Sequence, residues 1–70
     1  MTINEHLEWL RSEIRRLRSK TIELNNLAKK TGDGDALAQA WICCGAAGSL
    51  VACWNHLTGE QRLVEDLIWL

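Results

Sequence analysis

ALAQAWICCGAAGSLVACW, residues 36–54, is a run of nineteen positions without one Asp, Glu, Lys or Arg. Only Gln39 and Ser49 in it are clearly polar. At about 100° per residue its apolar side chains point in every direction, with Leu37 and Trp41 on one side and Ile42, Leu50 and Trp54 on others. A helix of this kind must be surrounded, so the rest of the sequence is read for what could cover it.

Upstream, Thr2-Ile3-Asn4-Glu5 has the form of a capping box, in which hydroxyl and carboxylate each satisfy a backbone N–H of the first turn. From there Ile3, Leu7, Leu10, Ile14, Leu17, Thr21, Leu24 and Ala28 recur at alternating spacings of four and three, which places all eight on one seam of a helix over about 3–30. Thr31-Gly32-Asp33-Gly34-Asp35 then breaks the pattern. Its glycines supply positive-φ positions for a helix stop, and an Asp can cap the helix that follows over about 36–57. Two helices joined this tightly fold back as a hairpin. A calcium loop starting at Asp33 would need a bidentate Glu at its twelfth position, where Cys44 stands, so that reading fails. Thr58-Gly59-Glu60-Gln61 repeats the capping pattern and predicts a short helix over about 59–69, with Leu63, Val64, Leu67, Ile68 and Leu70 at helical spacing.

The expected fold is therefore all-α: one domain over residues 1–70, a helical hairpin of two long helices plus a short C-terminal helix. A chain of 70 residues buries only about 60% of its unfolded surface, so a lone core is marginal. One amphipathic helix and three short turns cannot wrap an all-apolar helix. Three cysteines and two distant histidines give neither a disulfide framework nor a zinc motif. The remaining source of cover is another chain, and the expectation is a homo-oligomeric, dimeric helix bundle. Ala36, Ala40, Cys44, Gly48 and Ala52 recur every four residues as a ridge without bulk. Ala40, Cys44, Gly48 and Ala52 are accordingly assigned to self-association. Residues 36–54 also meet the length of a bilayer crossing, about 20 residues. The small side chains from Cys43 to Ser49 carry little transfer energy, and the flanking apolar stripes call for protein partners. A membrane-embedded protein is thus the third reading.

Catalysis needs a convergent set of groups, and none is legible. Cys53 and His56 lie one turn apart, but cysteines in an apolar helix are ordinarily inert packing residues, so Cys43, Cys44 and Cys53 are expected to be buried and slow to react. Zinc would need two more ligands, from His6 or a symmetry mate. No enzyme activity, cofactor or metal is expected.

The net charge is −1, which disfavours nucleic acid. The clearest local feature is basic: Arg11, Arg15, Arg16, Arg18 and Lys20 fall within ten residues, opposed only by Glu13. Arg11, Arg15 and Arg18 line one flank of the first helix with Ile22 and Lys29, while Arg16 and Lys20 lie with Trp9 and Leu27 away from the seam. A charge run is ordinarily a solvated face, but arginines beside an off-seam tryptophan are also the residue types enriched at binding hot spots. Trp9, Arg11, Arg15, Arg16, Arg18 and Lys20 are therefore the candidate partner-binding residues. The expected function is a small non-enzymatic interaction or regulatory module that binds, and through binding inhibits, a protein target, in the manner of phage or mobile-element accessory proteins. The alternative is an oligomer that sequesters an anionic small ligand such as a nucleotide between arginines. An odd cysteine count and no signal-peptide pattern favour a cytoplasmic setting.

Overall fold

The computed structural model describes residues 2–69. The chain is all-helical, with α1 at Ile3–Thr31, α2 at Gly34–Thr58 and α3 at Val64–Ile68. Each boundary has a local cause. Glu5 N–H donates to Thr2 Oγ1 at 3.2 Å and Thr2 N–H to Glu5 Oε1 at 3.4 Å, closing the expected capping box. Gly32, at φ +70°, ends α1 and donates its N–H to the Ala28 carbonyl at 2.8 Å. A β-carbon would be strained there. Asp33 Oδ1 then accepts from Asp35 and Ala36 N–H groups at 2.9 and 3.4 Å, starting α2 at Gly34, two residues earlier than expected.

The hairpin is antiparallel and 42 × 19 × 18 Å in extent. Its long dimension matches the 29 residues of α1 at about 1.5 Å each. Leu10, Ile14 and Leu24 of the expected seam are buried, and Leu7, Leu17, Thr21 and Ala28 are half-buried. Ile3 is 56% exposed, contrary to the seam reading. Because Leu24 packs with Ala36 and Ala40, and Leu10 with Val51 and Trp54, the same register carries Ile3 past the last turn of α2.

The core is graded along the hairpin. Next to the turn it consists of Leu24, Ala36 and Ala40, flanked by Ala28 and Cys43. At the open end it consists of Leu10, Ile14, Val51, Trp54 and Leu67, with Leu7, Leu50, Val64 and Ile68 packed around them. Small side chains permit close approach of α1 and α2 near the turn, and bulky ones at the far end leave room for α3 to insert Leu67, which is fully buried.

The third helix is shorter than expected, and Thr58-Gly59-Glu60-Gln61 does not open it. Thr58 remains in α2, its hydroxyl donating to the Trp54 carbonyl at 2.9 Å, and Gly59 at φ +73° is the C-cap of α2. Gln61, the residue a capping box would turn back to the Thr58 backbone, is exposed, and Glu60 accepts from Arg62 Nε at 2.7 Å and Trp54 Nε1 at 3.3 Å. Asn55 holds the connecting loop by accepting from Arg62 N–H and donating to the Arg62 carbonyl. The helix start moves to Val64, where Asp66 Oδ2 accepts from the Leu63 N–H at 2.9 Å. Leu70, expected on the apolar face of this helix, lies outside the described residues.

Candidate functional site

Two of the basic residues of α1 reach α3, and two others pair along the surface of α1 itself. Arg18 Nε donates to Glu65 Oε1 at 2.6 Å and Arg15 to the Ile68 carbonyl at 3.2 Å, so this flank fastens α3 onto α1. Arg16 pairs with Glu13 at 2.7 Å and Lys20 with Glu23 at 3.9 Å along the helix surface. The hydrogen bonds from Arg16 and Arg18 to these carboxylates, with the adjacent negative charge, hold both guanidinium groups still more firmly protonated. Arg11 is half-buried. Trp9 is 51% exposed and Leu27 45%, which agrees with their off-seam position. Trp9 therefore keeps an open surface, while Arg15, Arg16, Arg18 and Lys20 each have a carboxylate or carbonyl partner within the chain.

On α2 two helical seams emerge that composition alone conceals. The inner one, Ala36, Ala40, Cys43, Ala47, Leu50 with Val51, and Trp54, is buried or half-buried against α1 and α3. Its spacings of four and three are those of α1, hidden because every neighbour is apolar too. The outer one runs through Leu37, Trp41, Gly45, Gly48 and Ala52 with the same spacings, and all five are exposed. Ile42, Ser49, Cys53 and His56 stand beside it, also exposed. Trp41 is 70% and Ile42 71% exposed, against 8% for Trp54 on the inner seam. Nothing lies within 4 Å of a β-carbon built on Gly45 or Gly48.

The self-association ridge assigned from sequence straddles these seams. A strict four-residue repeat advances about 40° per step around a helix of 3.6 residues per turn. Ala40 is consequently buried under α1 at 0% exposure, whereas Cys44, Gly48 and Ala52 lie in the open. The ridge is thus split: Ala40 belongs to the hairpin core, and Cys44, Gly48 and Ala52 stand on the open side with Leu37, Trp41 and Gly45. The cysteine expectation is corrected as well, since Cys44 and Cys53 are exposed and Cys43 is half-buried. Cys44 and Cys53 face outward because an all-apolar helix with only two packed neighbours must leave part of its circumference uncovered.

No enclosed cavity forms among the described residues, and no three His, Cys, Asp or Glu side chains converge there to hold a metal ion. The feature that stands out is the uncharged outer face of α2. From Ala36 to Gly59 the chain carries no Asp, Glu, Lys or Arg, while α1 is charged throughout its length. No protein family, curated protein or solved structure matches this chain.

Proposed function

We propose that this protein is a non-enzymatic interaction module that pairs with a second copy through the outer face of α2 and presents its two α1 faces, with Trp9 exposed, to a protein target that it regulates by binding. The observation that carries the reading is the open, charge-free seam from Leu37 to Ala52, with Trp41 and Ile42 each about seven-tenths exposed. An apolar surface of this extent in contact with water favours association, and burying it is worth about 25 cal/mol per Å².

By length and composition α2 could also cross a membrane. In this hairpin, however, α1 packs along α2 from Leu10 to Ala28 and bears Arg11, Glu13, Arg15, Arg16, Arg18, Lys20 and Glu23 over that length. Crossing would either break the hairpin core or draw those charges into hydrocarbon, where each costs about 2.5–3.5 kcal/mol or more. A phosphate-bearing ligand is also less well supported, because four of the basic side chains already have partners within the chain.

Light scattering and sedimentation across nanomolar to micromolar protein test the pairing. A dimer whose melting temperature rises with concentration is expected. A stable helical monomer at micromolar concentration would refute it. For the target, Trp9→Ala is expected to retain helicity and dimer mass while weakening capture of the partner, because Trp9 is half exposed.

A further inference from the structure

Resting on the self-association just proposed, we infer that the two α2 helices pair antiparallel about a two-fold axis near residues 46–47, with Trp41 of each copy seated over Ala52 of the other. The occupant of the outer seam is a second copy because this face is the charge-free surface of the molecule, and a second copy brings one that matches it in length and chemistry. Trp41 and Ile42 are 70% and 71% exposed on it and Leu37 and Leu57 39% and 45%, and aromatic and apolar side chains of this kind form the buried core of homodimer interfaces.

The direction follows from where bulk and space lie along the seam. The order is large at Trp41, small at Gly45, Gly48 and Ala52, and open above both glycines. A parallel pair would stack Trp41 on its own copy and set glycine against glycine, wedging the helices apart at one end and leaving a void in the middle. An antiparallel pair centred between Gly45 and Gly48 places each indole over the partner's Ala52 and lets the backbones meet at the glycines. Large then faces small at both ends. Antiparallel packing also opposes the two helix dipoles, whereas parallel packing aligns them.

Spin labels test the direction, in a protein with Cys43, Cys44 and Cys53 replaced by alanine and with circular dichroism and scattering establishing fold and mass. A label at Ala38→Cys lies about 25 Å along the axis from its mate in the antiparallel pair, and one at Ser49→Cys about 8 Å, from a rise of about 1.5 Å per residue. The expected result is long-range dipolar coupling from the first and strong broadening from the second. Short distances from both labels in a dimer would overturn the direction but leave self-association standing. A monomer by scattering would overturn both. A knob exchange gives a second, independent measurement. Trp41→Ala is expected to weaken dimerisation about thirtyfold or more, as loss of a buried hot-spot tryptophan does. The double variant Trp41→Ala with Ala52→Trp restores the same large-over-small pair and is expected to recover most of that affinity. Failure of the exchange to recover any affinity, in a folded protein, would refute the proposed pairing of positions 41 and 52.

Discussion

Arg18 and Glu65, 47 residues apart, meet at 2.6 Å and fasten α3 across α1. Leu67 lies two residues beyond that ion pair and is fully buried in the larger core cluster. The two anchors differ in kind. The Arg18–Glu65 pair remains partly in water, with side chains 32% and 58% exposed, and such pairs contribute little. Leu67→Ala leaves a cavity and is expected to cost about 2–5 kcal/mol, a large share of the stability of so small a domain. Urea unfolding of Leu67→Ala and Arg18→Ala measures the contrast. Equal losses in the two variants would make the ion pair the principal anchor.

Acid is expected to loosen the link between α2 and α3. Arg62, and after it Trp54, donate to the Glu60 carboxylate and hold its pKa below the ordinary value of 4.5. A group whose pKa is lower in the folded state adds stability that is present above the unfolded value and is lost as pH falls through the folded one. The contribution is therefore complete above about pH 5 and fades below 4.5. Glu60→Gln should flatten that part of the stability curve and leave neutral-pH helicity intact. Carbon NMR of the Glu60 carboxyl, which should titrate below the ordinary value of 4.5, checks the assignment.

The hairpin was legible because α1 alternates apolar and charged residues, so its seam from Leu7 to Ala28 could be read by period. Along α2 the same spacing was present but invisible, since Ala40 in the core and Ala52 outside are chemically identical. Only the side on which α1 packs separates them. The C-terminal stretch misled for another reason. Thr58-Gly59-Glu60-Gln61 carries the residues of a capping box, but Thr58 is committed to the Trp54 carbonyl as the last residue of α2 and Gly59 to ending that helix. Both commitments follow from α2 running on to Thr58, which a four-residue pattern does not show. The basic run of α1 was recognisable as a surface, yet its use by Glu65 and the Ile68 carbonyl depends on where α3 docks.

Thiol chemistry is expected to divide the three cysteines. Cys44 and Cys53 are exposed and Cys43 is half-buried beside the Leu24 cluster. A thiol reagent applied to dilute native protein should modify two groups rapidly and the third slowly, with mass spectrometry placing the slow site at Cys43. Uniformly slow labelling of all three would show that Cys44 and Cys53 are covered.

Gly48 offers a test in which the sign of the effect carries the answer. In a single chain an alanine there meets nothing within 4 Å, and Gly→Ala within a helix is worth about 0.5–1 kcal/mol. Gly48→Ala should therefore raise the melting temperature at the lowest concentrations. Gly48→Leu should be tolerated under the same conditions but weaken association by about fivefold to a hundredfold, because bulk forced into a close helix contact costs about 1–3 kcal/mol. Unchanged association in Gly48→Leu would place this glycine away from any interface.

The gradient in side-chain size along the hairpin has a kinetic corollary. Contacts closest to the Thr31–Asp35 turn, Leu24 with Ala36 and Ala40, close the shortest loops but withdraw little apolar area from water. The contacts that withdraw most, Leu10 and Ile14 with Val51, Trp54 and Leu67, span most of the chain and pay the larger loop-closure entropy. Zipping outward from the turn is therefore unrewarded until the far end meets, so the hairpin should acquire its structure in one concerted step. Substitutions at Ile14 should slow refolding, whereas those at Ala40 should mainly hasten unfolding, a partition that stopped-flow measurements resolve.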